Sequence, residues 1–391
     1  MPHVSANSVF LRYVGLSRHV DRSLTMRHDR KCRIGVLALV STLLLGFYGA
    51  GGWGGVDLRP PVATWVVPYF ELPEKAELCG EGVPLESADV RERFDREFTI
   101  VTQSHAQVYL WLKRIERYFP WIEKQLAARG LPDDLKYVTV AESDLITSAV
   151  SHSGAAGPWQ FMANTATCYG IAQSSLIDER YDHEKSAAAA FGYLKDLHDM
   201  FRNWTLAVAA YNCGEKRIQA EIGKQQVNSY YFLKLPQETE RYVFRILAIK
   251  EVLGNPEKYG YHLPEGAGYQ PIIFEKVNVN LPGPMPVVAA AQAAGITYRE
   301  LKALNPCLVS DVIPTGGLTI RVPQGSAKRF EKGVEVWKSE FKPAVLVHKV
   351  LRGETLGSIA QKYNLTEQQI CGWNNIAGDK IRVGQKLKIY R

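Results

Sequence analysis

Glu142 is the residue around which chemistry can be built. Leu135, Val138 and Glu142 stand at i, i+3 and i+7, so on a helix they share one stripe and the carboxyl leaves the apolar, core-facing side. Burial among apolar neighbours disfavours the charged form of a carboxyl and raises its pKa. A glutamate kept protonated near neutral pH can act as a general acid. Downstream, Ser153-Gly-Ala-Ala-Gly-Pro-Trp-Gln-Phe-Met is punctuated by glycines, which permit tight turns and close backbone approach. Within it Trp159 offers a flat face for a sugar ring, and Gln160 offers both a donor and an acceptor. Ala210-Tyr-Asn-Cys-Gly then ends an apolar stretch with the polar pair Tyr211 and Asn212, and Glu238-Thr-Glu-Arg-Tyr-Val supplies Tyr242.

These residues need a helical frame, and the pattern supplies one. Glu86 to Arg129 reads as helical and rich in aromatic residues, with Pro120 expected to break it. Leu131-Pro-Asp-Asp opens the helix that carries Glu142, proline suiting a first turn and two acids the positive N-terminus. Helices are expected from Glu184 to Phe201, from Trp204 to Asn212 and from Gln237 to Leu253. No sustained strand alternation runs through this part, so it is expected to be mainly α. Beyond a stretch bearing glycine and proline, residues 254–269, the character changes. The final residues read as a β-α-α-β unit: a strand at Val345-Leu-Val-His-Lys-Val, a short helix after Glu354, a second helix with capping-box spacing from Thr366 to Gln369, and a closing strand after Gly384. A weaker echo lies earlier, with a strand from Ile272, helices near Val287 and Thr297, and a strand from Leu318. Both copies carry a helix ending near an asparagine, Asn305 and Asn374, which marks a tandem pair of small α+β modules.

The chain has 391 residues, 46% hydrophobic and 22% charged, which is long and apolar enough for two or three packed domains. Its net charge of +7 favours anionic partners such as cell-wall polymers or lipid headgroups, without the concentrated basic stripe of a nucleic-acid binder. Residues 1–33 form a basic N-terminal segment. The uncharged stretch 34–56 has a strongly apolar part, Ile34 to Phe47, that is short for a spanning helix of about 20 residues. It reads as a secretory signal peptide or as an uncleaved membrane anchor, and either would export the remainder of the chain. Residues 57–104 read as a linker and lead-in helix, 105–260 as the helical domain, 270–323 as the first module and 345–391 as the second. Of the six cysteines, Cys168 and Cys213 are a conceivable disulfide, because both lie in segments that should converge. No CxxC pair and no HExxH pair occurs, so neither a metal nor a cofactor is expected.

The four segments around Glu142, Gln160, Tyr211 and Tyr242, in this order, resemble the lytic transglycosylase family with the lysozyme-like fold, in its membrane-bound D type. The resemblance covers roughly residues 105 to 260. The last unit, with Leu351-Arg-Gly-Glu-Thr-Leu, Trp373-Asn-Asn-Ile and Val383-Gly-Gln-Lys-Leu, looks like a LysM domain, which binds glycans containing N-acetylglucosamine. The resemblance implies Glu142 as the catalytic acid. It implies Ser153, Trp159, Gln160, Met162, Tyr211, Asn212 and Tyr242 as residues lining a glycan cleft. It implies Gly353, Glu354, Thr355, Asn374 and Asn375 as glycan-binding residues of the last module, peptidoglycan strands as the partner, and a periplasmic or cell-envelope location. Two positions depart from the family pattern: Ala163 stands where proline is frequent, and Cys213 takes a variable slot. The first module lacks a counterpart of Gly353-Glu-Thr-Leu and reads as degenerate.

The family mechanism needs one carboxyl, whereas ordinary glycosidases use two. Asp144 should point away from Glu142, and Asp178 and Asp182 sit among charged residues that read as a solvated loop. A lysozyme-type hydrolase is the alternative, with Asp182 as the group that would activate water. A glycan-binding scaffold with a dead catalytic domain is a third reading, opposed by the intact Glu142, Gln160 and Tyr211.

Overall fold

The computed structural model describes residues 67–390, apart from 343, 344, 364, 377 and 379. The basic segment and the apolar stretch 34–56 lie outside the described residues. Among the described residues no helix is long and apolar enough to cross a membrane.

The described chain opens with a small antiparallel hairpin, β1 (Glu77–Leu78) and β2 (Glu81–Gly82), followed by helices α1 (Ala88–Gln103) and α2 (His105–Ala127). The break expected at Pro120 is absent: Pro120 lies inside α2, and the chain turns instead at Ser104. Proline costs a helix about 3 kcal/mol. Phe119, Ile122 and Leu126 around it are all buried, at about 1.5–3 kcal/mol each, which outweighs that cost. Nor is α1 a mere lead-in. Phe94 and Phe98 belong to the same core as the later helices, and Phe94 stacks on Phe244 at 6.2 Å.

The helix carrying Glu142 begins as a 3₁₀ turn, Asp133–Leu135, and continues as α3 (Lys136–Ser143). Pro132 sits just outside that turn rather than within it. Next come α4 (Ala163–Cys168), α5 (His183–Phe201), α6 (Trp204–Cys213), α7 (Glu215–Gln225) and α8 (Gln237–Gly254). Asp182 caps α5 through the amides of Glu184 and Lys185, and Asn203 caps α6 through that of Leu206. Helix α6 is buried along nearly its whole length, as its apolar sequence requires. Helix α8 lies against α1, α3 and α6 at once, and this brings the segments holding Glu142, Asn212 and Tyr242 together.

The first small module comprises β3 (Phe274–Leu281), β4 (Met285–Pro286), α9 (Val287–Ala294), α10 (Tyr298–Leu304), β5 (Val312–Ile313) and β6 (Gly316–Pro323). β3 pairs antiparallel with β6 from Phe274↔Pro323 to Leu281↔Gly316. Helix α11 (Ala327–Glu340) adds Phe330 and Val334 to the same core, so the packing extends beyond residue 323. The second module is β7 (Val345–Lys349), α12 (Leu356–Tyr363), α13 (Glu367–Asn374) and β8 (Lys386–Tyr390), with β7 and β8 antiparallel and a core of its own. The two asparagines do the same work in both modules. Asn305 bridges Leu301 and the backbone of Arg321; Asn374 bridges Ile370 and the backbone of Lys388. Each therefore ties a helix end to the closing strand, and Thr297 and Thr366 each form a complete capping box.

The five described cysteines are free. Cys168 and Cys213 do not pair: Cys168 is exposed at the end of α4, and Cys213 is buried at the end of α6.

Candidate active site

Glu142 sits in the last turn of α3 and is 6% exposed. Burial pushes its carboxyl from the ordinary range up to about 7; the hydrogen bond from Tyr242 opposes this, and the charge of Glu238 adds to it. The Tyr242 hydroxyl, fully buried on α8, donates to Glu142 Oε1 at 2.5 Å. One carboxyl oxygen is thus fixed by the protein.

The chain then turns sharply. Asp144 and Leu145 both adopt positive φ, 56° and 60°. Asp144 is held by the indole of Trp111 (2.8 Å to Oδ1), and its carbonyl accepts from Arg114 at 3.1 Å. Its carboxylate is therefore engaged away from Glu142, as its position in the sequence implies. The glycine-punctuated segment folds back against α3. The hydroxyls of Thr139 and Ser143 both donate to the carbonyl of Pro158, at 2.8 and 2.7 Å. Backbone pairing of Ala156 with Phe161 closes the loop. Gly157 has φ +81°, and a Cβ there would lie 1.8 Å from the carbonyl oxygen of Arg180, so only glycine fits.

Gln160 (φ 48°) donates through Nε2 to the carbonyls of Gly157 (2.8 Å) and Ala149 (3.2 Å), and its buried Oε1 has no partner among the described residues. Asn212 shows the reverse. Its Oδ1 accepts from the Thr239 hydroxyl at 2.9 Å, and its buried Nδ2 has no partner among the described residues. Among the described residues, the Gln160 and Asn212 side chains therefore each keep one buried amide atom without a partner, an acceptor and a donor respectively. Tyr211 donates to the carbonyl of Trp159 at 2.7 Å, and burial together with the Glu142 charge keeps its hydroxyl protonated. Ser153, half-buried, shares a hydrogen bond with Ser151 at 2.9 Å. Met162 is half-buried at the start of α4.

Three expectations need correction. The Trp159 ring is 0% exposed and packs edge-on against Phe191 at 5.3 Å, so it presents no face to a sugar and serves the core. Asp178 and Asp182 do not lie in a solvated loop; both are buried. Nor is either free to activate water. Asp178 is paired with Arg180, and Asp182 is clasped by Arg321 of the first small module. Burial alone would raise the Asp182 carboxyl, but Arg321 and the α5 amides bring it below the usual range.

Sequence reading missed Thr139 and Thr239 and took Ser143 only as a residue capping or ending its helix; all three make backbone or amide contacts within the site segments. Thr239 lies within the segment singled out for Tyr242, and that is the only trace of it. In the second module Glu354 accepts from the amide of Leu351 and contacts His348, both at 2.8 Å, while Gly353 has φ +91°. Thr355 accepts from the amide of Ser358 at 3.1 Å. Asn374 and Asn375 line a shallow surface depression together with Lys380 and Arg382. Among the described residues no cluster suited to a metal ion occurs.

Comparison with known proteins gives this geometry a family setting. A model of the transglycosylase SLT domain matches residues 119–231, the LysM-like domain of lytic transglycosylase MltD matches residues 274–334, and the LysM domain matches residues 348–389. Membrane-bound lytic murein transglycosylase D of Escherichia coli (strain K12) is 30% identical over 292 residues, covering 71% of this chain and 64% of that protein. The protein of the same name from Escherichia coli O6:H1 gives the same figures. The chain thus spans 64% of the length of these curated relatives. Among solved structures, an inactive mutant of lytic transglycosylase Slt from Pseudomonas aeruginosa is 24% identical with a TM-score of 0.28, covering 38% of this chain and 26% of that one. The chain therefore carries a transglycosylase SLT domain, with a lysozyme-like helical core, followed by two LysM-type domains.

Proposed function

We propose that this chain is a peptidoglycan lytic transglycosylase, acting on the bond from N-acetylmuramic acid to N-acetylglucosamine with Glu142 as acid and then base. The observation that carries the reading is the buried carboxyl of Glu142, its pKa raised by burial to about 7 and one of its oxygens held by Tyr242. Protonated Glu142 donates to the glycosidic oxygen as its bond to C1 breaks. The substrate's own acetamido oxygen supports the cationic C1. Glu142, now a carboxylate, takes the proton of the C6 hydroxyl; O6 closes on C1 to give the 1,6-anhydro ring, and Glu142 is protonated again. No water enters the products.

The unpaired amide atoms support this assignment. An acetamido group has one carbonyl acceptor and one N–H donor, and these are assigned to Asn212 Nδ2 and Gln160 Oε1, both buried and without a partner among the described residues. Pre-set polar groups of this kind orient the reacting sugar, and orientation can supply several kcal/mol of the barrier reduction. The carboxylates a hydrolase would recruit are engaged elsewhere: Asp144 with Trp111, Asp178 with Arg180, Asp182 with Arg321, and Glu238 with Arg245. The last module, through Gly353, Glu354, Thr355, Asn374 and Asn375, is assigned to glycan binding. The enzyme is placed in the cell envelope, with residues 34–56 as signal or anchor.

Digestion of purified peptidoglycan in ¹⁸O-labelled water tests the chemistry. The expected products carry no label at C1 of the muramic acid; labelled reducing ends would identify a hydrolase and overturn the assignment.

A further inference from the structure

We propose that the first LysM-like module is a structural support of the active site, acting through Arg180 as a positioning residue for the substrate loop. The proposal rests on the transglycosylase reading for its catalytic consequence, but not for its mechanics. The module grips the segment 176–182 in two places. On one side the backbones are joined: Asp178 N donates to Cys307 O at 2.8 Å, Val309 N donates to Leu176 O at 3.1 Å, and Ile177 and Leu308 form an antiparallel bridge. On the other side Arg321, on β6, clasps both oxygens of Asp182 at 2.7 and 2.8 Å and reaches Glu184 at 3.0 Å. Lys276 on β3 also pairs with Glu184. The Arg321 and Asp182 side chains are both buried, so the clasp is shielded from solvent screening.

Between these two grips lies Arg180. Asp178 holds its guanidinium through Nε and Nη2 and also accepts from its backbone amide. The remaining nitrogen, Nη1, donates to Gly154 O at 2.9 Å and to Phe161 O at 3.1 Å. These carbonyls stand at the two ends of the loop that contains Gly157 and Gln160. The Arg180 carbonyl occupies the space a Cβ on residue 157 would need. A continuous set of contacts therefore runs from β6 and the Cys307 turn, through 176–182, to the loop that contains Gln160 and is bound through Pro158 O to Thr139 and Ser143 of α3, the helix of Glu142. His183, next to the clasp, is held neutral by burial, its pKa pushed down to about 4, so no extra positive charge appears beside Arg321 near neutral pH. A module used only as a glycan tether needs neither grip.

The test uses the full chain as wild type, Arg180→Lys and Arg321→Gln, with Arg321→Lys as a milder second variant at that position. Lysine keeps the charge at 180 but cannot pair with Asp178 and span both carbonyls. Two readouts are taken: hydrogen–deuterium exchange of residues 153–161, and kcat and KM on a soluble glycan oligosaccharide that needs no tether. The support predicts faster loop exchange in every variant and a roughly tenfold to hundredfold fall in kcat with little change in KM, as expected for a misplaced binding group. Unchanged loop exchange and unchanged kcat in the Arg321 variants, with weaker retention on insoluble peptidoglycan, would make the module a tether and overturn the proposal. Faster loop exchange in the variants of a chain whose wild type turns nothing over would uphold the support and count against the transglycosylase reading alone.

Discussion

The burial that would suit Glu142 to the proposed chemistry costs folding stability near neutral pH. Its folded pKa of about 7 lies above the unfolded value of 4.5, so between these pH values the folded state binds the extra proton. Stability from this group is therefore full below pH 4.5 and is lost as pH rises through 7, by about 3 kcal/mol in all at roughly 1.4 kcal/mol per pKa unit. Glu142→Gln should unfold at a higher temperature than wild type at pH 8, with the difference vanishing near pH 4; equal melting at both pH values would contradict the raised pKa. Tyr242→Phe removes a hydrogen bond to the carboxyl, an interaction worth about 1.5–3 kcal/mol when one partner is charged. It should lower kcat roughly tenfold to hundredfold and move the alkaline limb of the pH–rate profile upward, because the bond from Tyr242 lowers the Glu142 pKa. A limb that stays in place would mean that Tyr242 does not touch the acid in solution. The core-facing placement of Glu142 was legible in its spacing. The burial of Trp159 was not, since an aromatic ring beside glycines suits a core and a sugar platform equally.

At the scale of elements, what could be read was periodic and what was missed was distant. Helices α5, α6 and α8 follow from apolar spacing and caps, and both small modules follow from a repeated order of elements. The solvated reading of Asp182 failed because its partner lies far along the chain: Arg321 comes from another domain, and no local pattern encodes it. Asp178 has a local partner, Arg180, but its backbone is bound to the equally distant Cys307. Pro120 misled for a related reason, since tertiary burial of its neighbours outweighs a local penalty. Loop geometry was legible only as a need for glycine. Gly157→Ala puts a methyl group into the Arg180 carbonyl at a positive φ and should cost more than about 1 kcal/mol in stability. Gly154, also at positive φ but with open space around it, should tolerate alanine better. Thermal melts of the two variants compare them directly, and equal losses would contradict the close approach.

In the whole molecule the two modules part company. Each has a core of its own, but among the described residues only the first is seen gripping the segment 176–184; the second is expected to act as a tether, raising the local concentration of substrate. Removing residues 345–391 should weaken retention on insoluble peptidoglycan by roughly tenfold or more while leaving turnover of a soluble oligosaccharide unchanged. Lost turnover of the soluble substrate would give the module a catalytic part. The central claim is that one carboxyl performs both proton transfers without water. It is tested most directly by mass spectrometry of the soluble muropeptides released from purified peptidoglycan by the wild type and by Glu142→Gln, both confirmed as folded. The account predicts 1,6-anhydromuropeptides from the wild type and none from the variant; reducing-end muropeptides from the wild type, or anhydro products from the variant, would contradict it.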